Sequence, residues 1–211
     1  MTNTITIEQA NIKVENGKFI IDMDAETLKK MLGIPAVALR TLKAGAEFKL
    51  GDDVYIVLEQ DGDNTKIISK DFLYTMAFGE SNDWRESDIR EKLNGEHYGR
   101  ISSIVGKENI VPMTRDLVAM DGSGSYGTCE DNISLLTFDE YRKYHEILGI
   151  EDVEYPDWWY LITAASMRKD YARGVCCVGS DGVPCWFVCG WTFGVRPFCI
   201  LKSSVLVLEN N

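Results

Sequence analysis

The last quarter of the chain, residues 158–200, consists of short apolar stretches separated by turn-forming residues. Residues 175–178 and 183–188 flank a Gly-Ser-Asp-Gly turn, and this arrangement predicts a β-hairpin. A Gly-Val-Arg-Pro sequence at 194–197 then interrupts the pattern before a further strand at 198–201. Because the apolar stretches are too short for long helices, the segment predicts a sheet of short strands.

Residues 185–193 are apolar at almost every position. If they form one strand, Cys185, Phe187, Cys189, Trp191 and Phe193 share one side, since side chains alternate between the two faces of a strand. The opposite side is apolar as well. Such a strand is either buried on both faces or exposes a recognition surface rich in aromatic side chains. The sequence leaves both interpretations open.

Residues 1–42 are predicted to form a small appendage made of a hairpin and a helix. Alternating apolar residues flank Asn16-Gly17, which is a strong hairpin signal. Asp24 is a suitable N-cap for a short helix at 25–32, which Gly33 and Pro35 would end. We expect this unit to provide contacts in a homo-oligomer.

The main domain, residues 43–211, combines predicted strands with two helices. A hairpin is expected at 48–60 and a third strand at 65–69. Helical spacing of apolar residues predicts one helix at 87–93 and a second at 138–148, whose apolar stripe faces the core. The predicted fold class is therefore α+β.

The charge of the chain excludes one large class of partner. The formal net charge is −11, and Lys and Arg form no cluster. Since attraction to phosphate supplies most of the affinity for nucleic acid, we expect no binding to DNA or RNA. No apolar run approaches the roughly 20 residues that cross a bilayer. The N-terminal residues also lack the basic start and apolar centre of a signal peptide.

Six cysteines are the most conspicuous reactive groups, and five of them lie between residues 176 and 199. Zinc would need a CxxC pair or nearby histidines, whereas His97 and His145 are far away in sequence. Without an export signal, a disulfide framework is not expected. We interpret the cysteines as free thiols and predict neither a metal nor another cofactor.

The remaining motifs do not indicate an enzyme. Residues 122–127 match the pattern GxGxxG, but no apolar helix follows them, so they predict a loop and not a dinucleotide site. His97 and His145 lie outside any nucleophile motif and are expected at the surface or at the edge of the core.

Four short motifs occur in an order that is typical of one protein family. They are a helix carrying Trp84-Arg85 and Ile89-Arg90, SLLT at 134–137, WW-x-L-x-T at 158–163, and GVRP at 194–197. On these motifs, residues 44–201 resemble a domain family of unknown function from gut bacteria and their phages and prophages. That family is similar to the C-type-lectin fold of formylglycine-generating enzymes and of the variable proteins of diversity-generating retroelements. The resemblance implies a C-type-lectin-like main domain.

In those variable proteins an error-prone reverse transcriptase rewrites adenines in a C-terminal region. Surface codons, often those for Asn, change while the scaffold is kept. The present chain has no Asn between Asn132 and Asn210, which is the mark that such mutagenesis would leave. Chance or the composition of a core would leave the same mark.

The resemblance implies a ligand- or receptor-binding protein, not an enzyme, with a variable region at about 158–200. Its location would be a phage virion (tail) or the cytoplasm of the host cell, and its ligand a protein or glycan on a target cell surface. The expected ligand-binding residues are Ser166, Arg168, Asp170, Tyr171, Arg173, Cys185, Phe187, Cys189, Trp191 and Phe193. The expected scaffold residues are Trp158, Trp159, Gly194, Arg196 and Pro197. Arg196 is expected to bind buried carbonyls or a carboxylate, since a buried guanidinium is rarely left without a partner.

Two other interpretations stay open. A thiol- or metal-dependent enzyme related to the formylglycine-generating group would place two cysteines face to face in a cleft, with an acid or a histidine nearby. A structural virion component would instead use its aromatic face to dock on another virion protein.

Overall fold

The computed structural model describes residues 11–15, 18–22, 36–148 and 158–209, and strands make up most of its regular structure. The strands are β1 (Asn11–Glu15), β2 (Lys18–Asp22), β3 (Ala36–Ala38), β4 (Glu47–Leu50), β5 (Asp53–Asp61), β6 (Asn64–Ser69), β7 (Tyr74–Ala77), β8 (Ile110–Val111), β9 (Met113–Asp116), β10 (Thr128–Asp131), β11 (Ile133–Ser134), β12 (Trp159–Ala164), β13 (Gly174–Val178), β14 (Pro184–Val188), β15 (Thr192–Val195), β16 (Phe198–Lys202) and β17 (Leu206–Glu209).

The first helical segment is continuous from residue 88 to residue 105. It consists of α1 (Asp88–Lys92), a π-helical turn (Leu93–His97) and α2 (Tyr98–Val105). The helix predicted at 87–93 was therefore too short. Glycines at 95 and 99 lower helix propensity, but four side chains at a spacing of four residues lie buried along one face and extend the helix. They are Ile89, Leu93, His97 and Ile101.

The second helix, α3 (Phe138–Leu148), confirms its prediction, including the stripe that faces the core. Tyr141, Tyr144 and Leu148 are buried on this stripe. The Tyr141 ring meets the Trp159 ring at 5.7 Å between centroids and 72° between planes. The Tyr141 hydroxyl donates a hydrogen bond to the Gly182 carbonyl. The helix thereby holds the turn between β13 and β14.

An eight-stranded sheet forms the larger part of the fold. Its order is β11-β16-β6-β5-β4-β17-β3, with β8 paired to β16, and the neighbouring strands run antiparallel. The hairpin predicted at 48–60 and the strand predicted at 65–69 are confirmed as β4–β5 and β6. The strand predicted at 198–201 is β16, but β17 follows it, which the sequence did not indicate. Phe48, Val57, Ile67 and Leu201 are fully buried in this sheet.

A five-stranded sheet contains the aromatic C-terminal segment. Its order is β14-β13-β12-β15-β7, so β14 is an edge strand. The hairpin predicted around residues 179–182 is confirmed by the antiparallel pairing of β13 with β14. The single strand predicted for residues 185–193 is wrong. The chain turns after Val188, where the Trp191 N–H donates to the Val188 carbonyl at 3.1 Å, and β15 begins at Thr192.

The N-terminal hairpin is confirmed by the antiparallel pairing of β1 with β2, in which Glu15 lies opposite Lys18. The helix predicted at 25–32 lies outside the described residues. Residues 36–42, predicted as the end of the appendage, belong instead to the main fold, because β3 pairs with β17 in the large sheet and both Leu39 and Leu42 are buried in the core. A strand of only three residues left no recognisable pattern in the sequence.

The predicted scaffold residues lie where the two sheets join. Arg196 is fully buried between β15 and β16; its Nε donates to the Ser69 carbonyl at 3.0 Å, and its guanidinium carbon lies 5.0 Å from the centre of the Trp159 ring. The prediction that Arg196 binds a buried carbonyl is thus confirmed. At Gly194 a Cβ would lie 2.5 Å from the Phe72 ring, so a side chain cannot fit there without displacing that ring. The close contacts of Arg196 and Gly194 therefore fix the position of the predicted scaffold residues.

His97 lies inside the core, not at the surface or the core edge as predicted. Its side chain is 1% exposed, with the Tyr55 hydroxyl 3.3 Å from Nε2 and the Tyr74 hydroxyl 3.0 Å from Nδ1. Burial, with help from the charges of Arg100 and Lys92, lowers the pKa of His97 to about 3. The imidazole is therefore neutral and forms part of the packing between α1, α2 and the large sheet.

The observed fold class is α+β, as predicted, with mostly antiparallel strands, two α-helical segments and four short 3-10 helices in the described ranges. The 3-10 helices are Leu39–Thr41, Trp84–Glu86, Lys107–Asn109 and Lys169–Tyr171. Among the described residues, no helix has both the length and the apolar character that crossing a membrane requires.

Candidate functional site

A groove of about 380 Å³ lies beside the edge strand β14. This volume falls within the range of pockets that hold small ligands or parts of larger ones. Three of the predicted ligand-binding residues, Ser166, Arg168 and Tyr171, lie in its wall. The complete lining is Met120, Asp121, Ala165, Ser166, Arg168, Tyr171 and Trp186.

Two exposed aromatic side chains dominate this groove. Trp186 is 48% exposed and Tyr171 is 44% exposed, with ring centroids 6.0 Å apart and planes at 76°. Trp186 lies on the face of the hairpin that carries Gly174, where a Cβ would come within 3.1 Å of the indole. Glycine at 174 therefore lets the indole lie against the backbone of β13.

The edge strand β14 has only part of the usual protection of such strands, since Pro184 at its start removes one backbone donor but no residue is charged. Edge strands in soluble proteins are commonly shielded by charged side chains, because their free backbone groups invite pairing. β14 has the sequence PCWFV and contains no charged residue. The exposed large hydrophobic residues of this region are Tyr171, Val183, Trp186, Val188 and Trp191. Tyr171 and Trp186 line the groove, whereas the Trp191 ring packs against Phe187 on the other face of the hairpin. An exposed aromatic pair in a groove is typical of a binding surface.

Asp121 ties together the two loops that form the groove. Its carboxylate accepts hydrogen bonds from the Ser123 N–H at 3.0 Å and the Ser123 hydroxyl at 2.6 Å, and from the Ser166 hydroxyl at 2.6 Å. These bonds lower the pKa of Asp121 to about 2, so it is ionised at neutral pH. The loop at 122–127, predicted from its glycines, is confirmed and holds the 165–173 loop in place.

Buried Asn82 holds the backbone of the 165–173 loop through hydrogen bonds. Its Nδ2 donates to the carbonyls of Ser166 at 2.8 Å, Tyr171 at 3.0 Å and Gly174 at 2.9 Å. Its Oδ1 accepts from the Tyr126 hydroxyl at 2.7 Å, and its backbone N–H donates to the carbonyl of residue 172 at 3.0 Å. One side chain thus fixes the backbone on both sides of Tyr171.

The loop that carries the groove residue Arg168 is locally basic on an acidic protein. Arg168, Lys169 and Arg173 are exposed on this loop, with Asp170 as the acid between them, and of these four residues Arg168 lines the groove. In the part of the chain that the structure describes, the Arg168 guanidinium makes no hydrogen bond or ion pair, although its charge helps to lower the pKa of Asp121. A guanidinium of this kind is suited to carboxylates and other planar anionic groups.

The other predicted ligand-binding residues are only partly brought together. Trp191 is exposed but lies on the opposite side of β14, with its ring 5.3 Å from that of Phe187. Phe187 and Cys185 are half-buried. Cys189 and Phe193 are buried, at 0% and 8% exposure. The prediction that these two residues lie at the surface is therefore wrong. The turn after Val188 breaks the alternation on which their assignment rested.

The predicted scaffold residues are buried as expected, with one exception. Trp159, Gly194, Arg196 and Pro197 are inaccessible, whereas Trp158 is half-buried. The Trp158 ring lies 4.7 Å from the Phe187 ring at 78° and closes the aromatic cluster behind β14.

Four of the C-terminal thiols, those of Cys176, Cys177, Cys185 and Cys199, are poor nucleophiles in this arrangement. Burial raises the pKa of Cys176 and of Cys199 to about 12, and it raises the pKa of Cys177 and Cys185 as well. Among the described residues, no group of three or more His, Cys, Asp or Glu side chains could hold a metal ion.

Sequence reasoning missed Trp186, Met120, Asp121 and Asn82. Trp186 is an even-numbered residue, whereas the predicted binding side consists of the odd-numbered residues from 185 to 193. Gly190 was the available signal that the strand ends before residue 193. Asn82 contacts residues more than 80 positions away, and no local pattern indicates such contacts.

No family model, no curated protein and no solved structure matches the chain.

Proposed function

We propose that this chain is a ligand-binding protein whose site is the groove beside β14. The observation that carries the proposal is the exposed Tyr171–Trp186 pair on an uncharged edge strand, above a loop fixed by Asn82. The ligand is a protein or glycan on the surface of a target cell, and the protein serves a phage or prophage, in the virion or in the host cell.

The physical argument rests on anchors and on preorganisation. Large aromatic side chains contribute most of the binding energy in many interfaces, and Tyr and Trp lose little conformational entropy on binding. The bonds made by Asn82 and Asp121 hold the groove loops before the ligand arrives, so less entropy is lost on association. Arg168 at the rim favours a ligand that presents a carboxylate or another anionic group.

We further propose that the scaffold is C-type-lectin-like and that its surface is diversified by a retroelement. Support comes from the order of the four sequence motifs and from the gap in Asn usage after Asn132. In this proposal, the buried frame of Trp159, Gly194 and Arg196 stays constant while exposed positions of residues 158–200 change. A near-copy of the DNA for residues 164–199, differing only at adenines and lying beside a reverse transcriptase, would support diversification. Without such a copy, the proposal of diversification fails, whereas ligand binding stands on its own support.

Binding to intact cells tests the ligand-binding proposal. The fluorescently labelled full chain is added to a panel of gut bacteria and measured by flow cytometry. We expect saturable binding to at least one strain, reduced at least about tenfold by Trp186→Ala, because central aromatic anchors contribute roughly 2 kcal/mol or more. Treating the cells with protease or with periodate then distinguishes a protein ligand from a glycan.

Ile104→Ala is the matched control, since Ile104 is 46% exposed but lies on α2, away from the groove. Its binding should equal that of the unchanged protein. Equal binding by the Trp186→Ala variant, or no binding to any strain, would contradict the proposal.

One observation favours the alternative of a thiol- or metal-dependent enzyme. Cys177 and Cys185 face each other with 3.5 Å between their sulfurs, which is one part of what that alternative requires; the other part is a cleft with an acid or a histidine nearby. However, burial raises the pKa of both thiols, which opposes nucleophilic chemistry at neutral pH. Stoichiometric binding of copper or zinc that is abolished by Cys185→Ser would support the enzyme over the ligand-binding protein.

A further inference from the structure

Two cysteines stand opposite each other on the β13–β14 hairpin. Cys177 in β13 is the cross-strand partner of Cys185 in β14, and their sulfur atoms lie 3.5 Å apart. Each thiol also lies 3.8 Å from the carbonyl oxygen of the other residue. The two side chains therefore point to the same face of the hairpin and toward each other.

The backbone positions suit a disulfide. Directly opposed residues of an antiparallel pair have Cα atoms about 4.5–5.5 Å apart, which lies within the range of about 4.4–6.8 Å found in disulfides. The sulfurs need only close from 3.5 Å to the bonding distance of about 2.05 Å, which small side-chain rotations can supply.

Other pairings among the thiols are unfavourable. Cys176 neighbours Cys177 but points to the other face of β13. Within the described ranges, Cys177 and Cys185 are the one pair of cysteine sulfurs in contact. Cys185 is half-buried whereas Cys177 is fully buried, so a reagent would reach Cys185 first.

We infer that Cys177 and Cys185 are a site of disulfide formation. The oxidant is a small-molecule disulfide such as oxidised glutathione. The Cys185 thiolate attacks one sulfur of the reagent and releases one thiolate. The Cys177 thiolate then attacks Cys185 Sγ and releases the second. Two protein thiols are oxidised, one reagent disulfide is reduced to two thiols, and the two protein protons end on those thiols.

The bond would fix the part of the hairpin that carries the groove. Trp186 follows Cys185 directly and points to the opposite face, so the linked strands would hold the indole in its register. Because burial raises the pKa of both thiols, exchange is slow, and the disulfide, once formed, resists reduction, since high-pKa thiols are poor leaving groups. The inference does not depend on the proposed ligand.

Mass spectrometry of the full chain tests this inference. The reduced protein is incubated natively with excess oxidised glutathione at mildly alkaline pH. We expect a mass loss of about 2 Da and a linked peptide pair containing Cys177 and Cys185. Free thiols should fall from six to four. The melting temperature should rise by about 5 °C, since the bond constrains the unfolded chain.

The controls separate this pair from general oxidation. Cys185→Ser should keep its mass, whereas Cys129→Ser, which changes a thiol that is also half-buried, should still lose about 2 Da. Cys177→Ala should accumulate a glutathione adduct at Cys185, because the second attack is missing. A persistent adduct on the unchanged protein, a linked pair that excludes either cysteine, or no loss of thiols would overturn the inference.

Discussion

The hairpins β5–β6 and β13–β14 are both antiparallel and joined by turns that contain Gly and Asp, but they have different surroundings. β5 and β6 lie in the middle of the large sheet, between β4 and β16, and their exposed end carries a pair between Glu59 and Lys66 at 2.8 Å. β13 is equally enclosed, since all five of its residues are buried. β14 lies at the edge of its sheet, has no charged residue and exposes Trp186 and Val188.

This difference indicates which part of the molecule maintains the fold and which part is free to bind. A central strand is covered on both sides by other strands, so its apolar residues stabilise the core. An edge strand with exposed aromatic residues gains nothing from them in the isolated chain and risks aggregation. The proposed ligand-binding role would give those residues a function.

The largest expected effect is the loss of stability caused by Trp159→Ala, a change in the buried frame. Trp159 is fully buried against Tyr141 and Arg196, so we expect a loss of about 3–5 kcal/mol in the free energy of unfolding. Urea unfolding followed by circular dichroism measures it. Trp186→Ala, at a half-exposed tryptophan, should cost less than about 1 kcal/mol. Similar losses for both would remove the distinction between frame and binding surface.

Acid should destabilise the large sheet through His97. Its pKa is 6.5 in the unfolded chain and about 3 in the fold, so stability is complete above pH 6.5 and is lost as the pH falls toward 3. We expect this histidine to account for about 3 kcal/mol between pH 7 and pH 4. Between pH 7 and pH 4, the free energy of unfolding should fall by about 3 kcal/mol more in the unchanged protein than in His97→Gln. Parallel slopes would show that burial does not keep the imidazole neutral.

Asn82→Ala should loosen the groove more than the rest of the fold. Three carbonyls of the 166–174 stretch lose their donor, which costs about 2 kcal/mol. Limited proteolysis should cut this loop faster, near Arg168 or Arg173. Tyr126→Phe removes one bond to the same amide, at 2.7 Å, and serves as the milder control. An unchanged cleavage rate in Asn82→Ala would show that Asn82 does not order the loop.

The smallest effect concerns the charges on the central hairpin. Lys143 and Lys66 contact Glu59 at 2.8 Å and, with Tyr144, lower the pKa of Glu59 to about 2. Because Lys143 is half-exposed, we expect Lys143→Met to cost only about 0.5 kcal/mol, and the loss should vanish at high salt. Thermal unfolding at low and at high salt measures it. A larger, salt-independent loss would point to packing instead of charge.

The sequence predicted the elements whose signals are local. The three predicted hairpins and α3 follow from turn residues and helical spacing, whereas the scaffold roles of Trp159, Gly194 and Arg196 come from what the family resemblance implies. These features involve neighbours in the chain, or a residue whose chemistry restricts its surroundings. The C-type-lectin relationship and the phage role stay predictions.

The site itself could be predicted only in part. In β14 the exposed face carries Trp186 and Val188 and not Cys185 and Phe187, and an apolar stretch with two apolar sides contains no signal that distinguishes its faces. The groove also depends on contacts between distant segments, such as Asn82 with Ser166 and Asp121 with Ser166. Burial of His97 likewise depends on Tyr55 and Tyr74 from two other strands.

The most direct test compares two tryptophans that are similarly exposed on opposite sides of β14. Trp186 lies in the groove at 48% exposure, and Trp191 lies behind the strand at 56%. Equilibrium binding of Trp186→Ala and Trp191→Ala is measured on a strain that the unchanged protein binds. We predict at least about a tenfold weaker affinity for Trp186→Ala and less than about a twofold change for Trp191→Ala. The opposite order would place the binding surface on the other face and contradict this account.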